Sequence, residues 1–390
     1  MTDDQALVTI TPRPRPTATR RLFIVIILGV LVVAGLVVPK LNTYQIVPGS
    51  ATPLAPMISV KGVATAKPTG RGVSMVDVGL VQMSPWDWLH VQIFGGETIA
   101  ANDLVPSGVP VSQFNNQSYL DMANAKSAAS VVAARQLGWT VPATPRGAEV
   151  EFIAYPSPAA KTTLGVADWI EAVNGTPVTS ACGLVAAVHD LAPRSLVRLT
   201  VQHARISDAG AITRATATTT ISLRTAPVTV TNEDTTTVSG CPTVTGTPKS
   251  SLGVFVNNAV SYRLPMTVSV NTAYIGGPSA GLAMTLALID EMTGGRLTAG
   301  HRVAVTGTMD ASGAVGDVGG VAEKTIAAIT NHNSLFIVPR SEVTVARDAA
   351  GGRLKVVGVD TITQALAALR QLSGSSLIPL TKPTLRSATS

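Results

Sequence analysis

The sequence predicts an α+β protein with an N-terminal transmembrane helix, a β-rich middle domain and a C-terminal α+β domain. Three patterns lead to this prediction. Residues 22–38 are apolar without interruption, residues 146–226 alternate in short β-type segments, and residues 251–372 combine apolar strands with glycine-bounded helices. A chain of 390 residues is long enough for two or three domains that each bury a core.

The composition excludes several classes of protein. Charged residues make up 13% of the chain and hydrophobic residues 46%, whereas disordered proteins are rich in charge and poor in apolar residues. The net charge is +6, but the 29 Lys and Arg residues are scattered beyond the extreme N-terminus. Since nucleic-acid binding needs basic residues clustered on one surface, we expect no nucleic-acid partner. His90, His189, His203 and His301 lack metal-ligand spacing, and we expect no metal or cofactor.

The N-terminal segment predicts how the chain is anchored. Its 17 apolar residues, 22–38, would span about 26 Å as a helix, against a bilayer core of about 30 Å. Arg13, Arg15, Arg20 and Arg21 precede them and place the N-terminus in the cytoplasm by the positive-inside rule. We expect a cytoplasmic basic tail over 1–21, an uncleaved single-pass anchor in the cell membrane over 22–39, and extracytoplasmic domains beyond it. A cleaved signal peptide and a twin-arginine signal are the alternatives.

Three stretches are predicted to be linkers, spacer regions or tails and contain no candidate catalytic residues. Residues 40–145 begin as a polar linker and continue as an N-terminal extracytoplasmic region, in which 119–137 predicts a helix. Residues 227–250 are a Thr-rich linker, and residues 373–390 are a tail rich in Ser, Pro and Thr that we expect to be disordered. None of these stretches carries a functional motif.

The chain contains two cysteines, Cys182 and Cys241. In an oxidising compartment such a pair often forms a disulfide, which would close a loop of about 60 residues and stabilise the fold by roughly 4 kcal/mol. Two separate buried thiols are the other interpretation. The sequence leaves both open.

The middle segment, residues 146–226, contains Leu164-Gly165-Val166-Ala167-Asp168-Trp169-Ile170, followed by Val173-Asn174-Gly175, a short helix and a closing strand. Through these residues it resembles a PDZ domain. Ala167 replaces the family's usual glycine, and no carboxylate-binding loop is evident. The resemblance implies a groove that takes an extended peptide by strand addition. A small β-rich spacer without a ligand is the alternative.

The C-terminal segment carries the chemistry. Gly276-Gly277-Pro278-Ser279-Ala280-Gly281 leads into a helix that is apolar on almost every face, so the helix is expected to be buried. Pro278 suits the first helical position, which would put Ser279 in the first turn, at the positive end of the helix dipole. A hydroxyl there is a candidate nucleophile, because an oxyanion is stabilised at that position.

A second glycine-rich turn, Gly313-Ala314-Val315-Gly316-Asp317-Val318-Gly319-Gly320, precedes a helix that is predicted over residues 321–330. Lys324 would lie in its first turn among apolar residues. Burial and the helix dipole both disfavour an ammonium there, which is how a Lys becomes a general base near neutral pH. Thr306, at the end of an intervening strand, is expected to hydrogen-bond the Lys324 amine.

Residues 251–372 resemble the proteolytic domain of the Lon family, through the ordered set Gly277-Pro278-Ser279-Ala280-Gly281, Thr306-Gly307, Gly313 to Lys324, and Phe336-Ile337-Val338-Pro339. The resemblance implies Ser279 as nucleophile, Lys324 as general base and Thr306 as a supporting residue. Thr308 replaces an acidic residue that many members have. With the anchor and the PDZ-like domain, the chain resembles the membrane-bound, PDZ-containing Lon-like proteases.

That resemblance implies a serine endopeptidase that acts on extracytoplasmic protein or peptide substrates, which the PDZ-like domain recruits or gates. Family members assemble as homo-oligomeric rings. The sequence contains no phosphate-binding G-x-x-x-x-G-K-[ST] motif, so we expect proteolysis without ATP.

Two other functions fit parts of the sequence. Gly277-x-Ser279-x-Gly281 also matches the nucleophile elbow of α/β-hydrolase esterases, with Asp310 or Asp317 and then His332 in the right order. The second alternative is a catalytically inactive, membrane-anchored PDZ scaffold, in which Ser279 and Lys324 have only structural roles.

Overall fold

The protein is a mixed α+β structure, seen in a computed structural model. The structure describes residues 18–63, 72–105, 108–228, 237–238, 241–245, 248–272, 274–373 and 382–383. Most of the predicted basic tail 1–21, part of the Thr-rich linker 227–250 and nearly all of the tail 373–390 lie outside the described residues.

The helices of the described chain are numbered in chain order. They are α1 Ala18–Val37, α2 Pro85–Phe94, α3 Ala101–Leu104, α4 Val111–Gln136, α5 Ala181–His189, α6 Gly281–Met292, α7 Val321–Thr330, α8 Val343–Ala350 and α9 Ile362–Ser373.

The strands are numbered in the same way. They are β1 Thr43–Pro53, β2 Ile58–Lys61, β3 Gly72–Gln82, β4 Thr98–Ala100, β5 Ala143–Ile153, β6 Trp169–Val173, β7 Thr176–Pro177, β8 Leu196–Gln202, β9 Ala204–Ile206, β10 Ile212–Arg214, β11 Thr219–Arg224, β12 Ala226–Pro227, β13 Thr237–Val238, β14 Cys241–Thr245, β15 Ser250–Ser251, β16 Val254–Tyr262, β17 Thr267–Val270, β18 Arg302–Val305, β19 Thr308–Met309, β20 Val315–Gly316, β21 Leu335–Pro339 and β22 Lys355–Val359.

The chain divides into two units, of which the first comprises residues up to 46 and 80–104. It contains α1, α2 and α3, and the start of β1 pairs antiparallel with β4. Helix α2 begins with a capping box: the Asp87 N–H donates to Ser84 Oγ, and Asp87 Oδ2 accepts from the Ser84 N–H. The Ser84 N–H and Ser84 Oγ both donate to Asp87 Oδ2 at 2.8 Å, and these two bonds lower the pKa of the Asp87 carboxyl.

The prediction of a transmembrane helix over residues 22–39 is wrong. No helix in the described part of the chain has the length and apolar character that a membrane crossing requires. Helix α1 covers this segment as Ala18–Val37. The physical reason for the error is length, because an apolar run of 17 residues reaches about 26 Å and falls short of a bilayer core of about 30 Å.

The second unit comprises residues 47–79 and those from 105 onward, and its first sheet is built on parallel strands. Strand β18 lies between β3 and β21, and β22 pairs with the far edge of β21. Both central strands read as continuous apolar segments, as expected for a parallel sheet that is covered on both faces. Helices α4, α6 and α9 bury one core against this sheet, whereas α7 and α8 bury another.

The second sheet of this unit is antiparallel, in the order β11-β8-β6-β5-β16. Its edge strand β16 pairs with β5 from Val254 opposite Ile153 to Tyr262 opposite Ala143. Helix α5 packs against β5 and β16, and a disulfide joins its Cys182 to Cys241 in β14 with a Cα–Cα distance of 5.3 Å.

The packing differs from the predicted domain divisions at two places. Strand β16, residues 254–262, belongs to the antiparallel sheet rather than to a C-terminal domain that begins at 251. Conversely, β3 and α4, which lie in the predicted N-terminal region 40–145, share one core with residues 266–369. The reason is that strand pairing and core packing join segments that are distant in the sequence, which local pattern does not reveal.

Candidate active site

Ser279 lies in a turn that immediately precedes helix α6. The helix begins at Gly281, with Ala280 as its N-cap, so Ser279 lies just before the first turn and not within it. The helix is buried along nearly its whole length, as its mostly apolar sequence predicts. Among the described residues, the backbone N–H groups of Ser279 and Ala280 donate to no protein acceptor. They are therefore available to bind an anion at the positive end of α6.

The backbone of Ser279 is fixed by the segment that follows strand β18. The Ser279 carbonyl accepts hydrogen bonds from the Gly307 N–H at 2.9 Å and from Thr306 Oγ1 at 3.3 Å. In return the Leu282 N–H donates to the Gly307 carbonyl at 3.0 Å. These bonds hold the candidate nucleophile at the carboxyl end of a central parallel strand, where open α/β sheets place their ligands.

Gly281 permits the close approach that this arrangement needs. A Cβ at this position would lie 2.8 Å from the Met309 backbone nitrogen and 2.9 Å from the Met309 Cβ. Any larger residue would therefore push α6 away from the 306–309 segment, which explains why glycine lies two residues after Ser279.

Lys324 lies in the first turn of α7, as predicted. The helix follows Gly320, whose φ of 65° is left-handed, and the Lys324 N–H donates to the Gly320 carbonyl at 2.9 Å. The Lys324 residue is only 3% exposed, and Thr306 is fully buried. Since the Thr306 hydroxyl gives its hydrogen to the Ser279 carbonyl, its role toward an amine is restricted to accepting a hydrogen bond.

Ser279 and Lys324 line the same pocket, which has a volume of about 310 Å³. Residues 75–78 of β3 and Met122 of α4 form part of its wall, and residues 274–276 complete it. The wall is mainly apolar, with Asp77 as its one carboxylate among the described residues that line it. The Asp77 carboxylate accepts hydrogen bonds from the Ser50 N–H at 2.6 Å and from Ser50 Oγ at 3.0 Å.

The wall residues from β3 and α4 were missed by the sequence reasoning, which assigned no chemistry to 40–145. No local motif marks Met75, Asp77 or Met122. The only signal is indirect: residues 72–78 are mainly apolar, like strands of a parallel sheet, but Ser74 and Asp77 interrupt them.

The residues of the alternative esterase triad lie apart from this pocket. Asp310 Oδ1 accepts hydrogen bonds from Ser312 and Ala314; burial alone would raise the pKa of Asp310, but these bonds and one from Gly313 lower it overall. Asp317 accepts a hydrogen bond from Ser341. His332 is in the turn after α7, and among the described residues neither it nor the two aspartates line the pocket of Ser279.

Two of the clefts outside this pocket are lined in part by strand β16. One, of about 640 Å³, is lined by α4, the antiparallel sheet and Pro278. In it the Arg214 guanidinium pairs with Glu149 at 2.6 Å and lies 3.9 Å from the Trp169 ring centre. The other is a groove of about 640 Å³ between α5 and the start of β16. The described residues contain no group of three His, Cys, Asp or Glu side chains arranged to hold a metal ion.

The comparisons with known proteins match the C-terminal part of the chain. Residues 265–370 match the Lon protease (S16) C-terminal proteolytic domain. A Lon protease from Neorickettsia sennetsu (strain ATCC VR-367 / Miyayama) is 29% identical over 93 residues, which cover 23% of this chain and 11% of that protein. The chain thus matches a small part of the length of that relative. The matched domain indicates serine peptidase activity.

Proposed function

We propose that the chain is an ATP-independent serine endopeptidase with Ser279 as nucleophile and Lys324 as general base. The observation that carries the proposal is that both residues line one pocket, and that Thr306 and Gly307, directly after strand β18, hold the Ser279 carbonyl. The absence of a phosphate-binding motif from the sequence supports independence from ATP.

The proposed reaction is acyl transfer in two steps. The neutral Lys324 amine takes the Ser279 hydroxyl proton as Ser279 Oγ attacks the peptide carbonyl, and the N–H groups of Ser279 and Ala280 stabilise the oxyanion. The resulting ammonium gives its proton to the leaving amine, and the C–N bond breaks. Water then attacks the acyl ester, with Lys324 again as base, which releases the acid and regenerates Ser279.

We further propose that the antiparallel domain is PDZ-like and recruits protein substrates. In support, the groove between α5 and β16 is lined by Leu184, Val185 and Val188 on the helix and by Val254 and Val256 on the strand. Strand β16 is at the edge of its sheet, so an extended peptide could add to it by main-chain hydrogen bonds. The peptide's apolar side chains would occupy the groove.

An extracytoplasmic location belongs to the same proposal. The Cys182–Cys241 disulfide supports it, because disulfides persist in oxidising compartments and are rare where thiols are kept reduced. A homo-oligomeric ring is also proposed, on the resemblance alone.

The test is cleavage of casein and of a fluorogenic peptide by the full chain without ATP, compared with Ser279→Ala and Lys324→Ala. We expect each variant to lose about 1000-fold or more in kcat, because the members of a nucleophile–base pair act as a unit. Ser261→Ala and Lys355→Ala are matched controls outside the pocket and should retain activity, as should His332→Ala. Unchanged cleavage in Ser279→Ala and Lys324→Ala would refute the proposal, and loss in His332→Ala alone would favour the esterase.

A further inference from the structure

Glu342 connects the segment after β21 to the turn that carries Lys324. It ends the short 3₁₀ turn Arg340–Glu342, between β21 and α8. Its Oε1 accepts a hydrogen bond from the Val318 N–H at 2.9 Å. Val318 lies in the glycine-rich turn just before α7. This bond therefore links Glu342 to the turn that precedes the helix of Lys324.

The second oxygen of this carboxyl group is unusual. Glu342 Oε2 is buried and has no hydrogen-bond partner among the described residues. Burial raises the pKa of Glu342, the Val318 hydrogen bond opposes this, nearby Asp317 adds to it, and the positive charge of Lys324 lowers it. Electrostatic interaction is mutual, so a Glu342 carboxylate stabilises the Lys324 ammonium by the same amount.

We propose that Glu342 is a positioning residue of the Ser279–Lys324 pair, which holds the turn before α7 through Val318 and sets the electric field at the Lys324 amine. The inference rests on the proposed peptidase function. It assigns to Glu342 a role in the reaction without contact with the substrate. An uncharged residue at this position would make the amine easier to deprotonate.

Other charged groups lie on the elements that surround Glu342 and Lys324. Asp317, from the turn before α7, is held by Ser341, and Glu323 neighbours Lys324 on α7 with a buried Oε2. Asp77 of β3 lines the pocket. Arg340, in the same turn as Glu342, pairs with Asp360 at 2.5 Å and so has its own partner.

The direct test is an NMR titration of the full chain with ¹³C-labelled lysine, in which the Lys324 signal is assigned by its loss in Lys324→Arg. We expect the Lys324 titration midpoint to fall by roughly 0.5–1 pH unit in Glu342→Gln, which keeps an acceptor for Val318 but removes the charge.

Glu171→Gln, on β6, is the matched control and should leave the midpoint unchanged. Equal midpoints in wild type and Glu342→Gln would overturn the inference. If Glu342→Gln fails to fold, Glu342→Asp is the second variant. Its side chain is one methylene shorter and places the carboxylate further from Lys324, so the Lys324 midpoint should fall, but by less than in Glu342→Gln.

A second measurement separates this inference from the proposed function. The ascending limb of the pH profile of kcat/KM should move to lower pH in Glu342→Gln, and Glu342→Ala should in addition lose kcat because the turn is released. If the wild-type chain cleaves no peptide while the Lys324 midpoint still shifts, the peptidase proposal fails and the electrostatic link stands. If Ser279 and Lys324 are essential for cleavage, but Glu342→Gln shifts neither the Lys324 midpoint nor the pH profile of kcat/KM, the role of Glu342 is refuted and the peptidase proposal stands.

Discussion

At the scale of single residues, the site depends on one carbonyl group. The Ser279 carbonyl accepts hydrogen bonds from both the Gly307 N–H and the Thr306 hydroxyl, which fix the backbone of the residue that carries the candidate nucleophile. Thr306 was expected to serve Lys324, and its hydroxyl hydrogen instead goes to the nucleophile's own backbone. A supporting residue can thus act on the backbone of the nucleophile, while its hydroxyl oxygen keeps the capacity to accept a hydrogen bond.

Thr306→Val tests this arrangement, because valine has nearly the same shape but cannot donate. Thr306 is fully buried, and the lost neutral hydrogen bond corresponds to about 1 kcal/mol. We expect kcat for a peptide substrate to fall roughly 5- to 10-fold with little change in KM, since the Gly307 N–H still holds the Ser279 carbonyl. Thr306→Ser keeps the donor and should restore most of the activity. A Thr306→Val enzyme with wild-type kcat would contradict the assigned role.

At the scale of elements, the sequence was informative where a local signal exists. Helix α7 follows its glycine turn at the predicted bounds, and α6 ends where Gly294-Gly295 stop its apolar run. The residues of β16 also predict a strand, but they do not predict which strand it pairs with. Pairing with β5 is decided by the sheet edge that is available, so the sequence did not predict that this strand pairs with one outside residues 251–372.

The groove beside β16 yields a prediction about helix α5. Val185 lines the groove and is partly exposed, so Val185→Lys would place a charge among its apolar walls without emptying the core. If the groove recruits substrates, KM for casein should rise several-fold, whereas turnover of a short fluorogenic peptide should not change. Ala186→Lys is the matched control, since this neighbour on α5 is exposed and does not line the groove. If KM for casein is the same in Val185→Lys and Ala186→Lys, the groove does not recruit substrates.

At the scale of the whole molecule, the pocket is assembled from segments that are far apart in the chain. Residues 75–78, Met122, residues 274–276, Ser279, Ala280 and Lys324 all line it, and only the segments around Ser279 and Lys324 carry a motif. The glycine patterns around Ser279 and Lys324 are readable because close backbone approach demands glycine at particular positions. Apolar wall residues carry no such constraint, so their contribution emerges only from the packing of β3 and α4 into the core of the second unit.

The same long-range packing places Asp121 of α4 in the cleft with Glu149, which predicts a pH dependence of stability. Burial, followed by the charges of Glu151 and Glu149, raises the pKa of Asp121 to about 6 from an ordinary value of 3.8. Because the folded state favours the protonated form, this group's contribution to stability is fully present below about pH 4, declines as the pH rises to 6, and is lost above it.

Asp121→Asn should therefore be more stable than wild type at pH 7–8, by roughly 1 kcal/mol once the partial exposure of the side chain is discounted. The difference should shrink toward zero near pH 4, where wild-type Asp121 is itself neutral in the folded state. Urea unfolding of both proteins at pH 4, 5, 6, 7 and 8 measures it, with the exposed Asp208→Asn as a control that should show no such trend. A difference that is independent of pH would mean that Asp121 titrates as a solvated carboxylate, and that the cleft does not impose a cost on its charge.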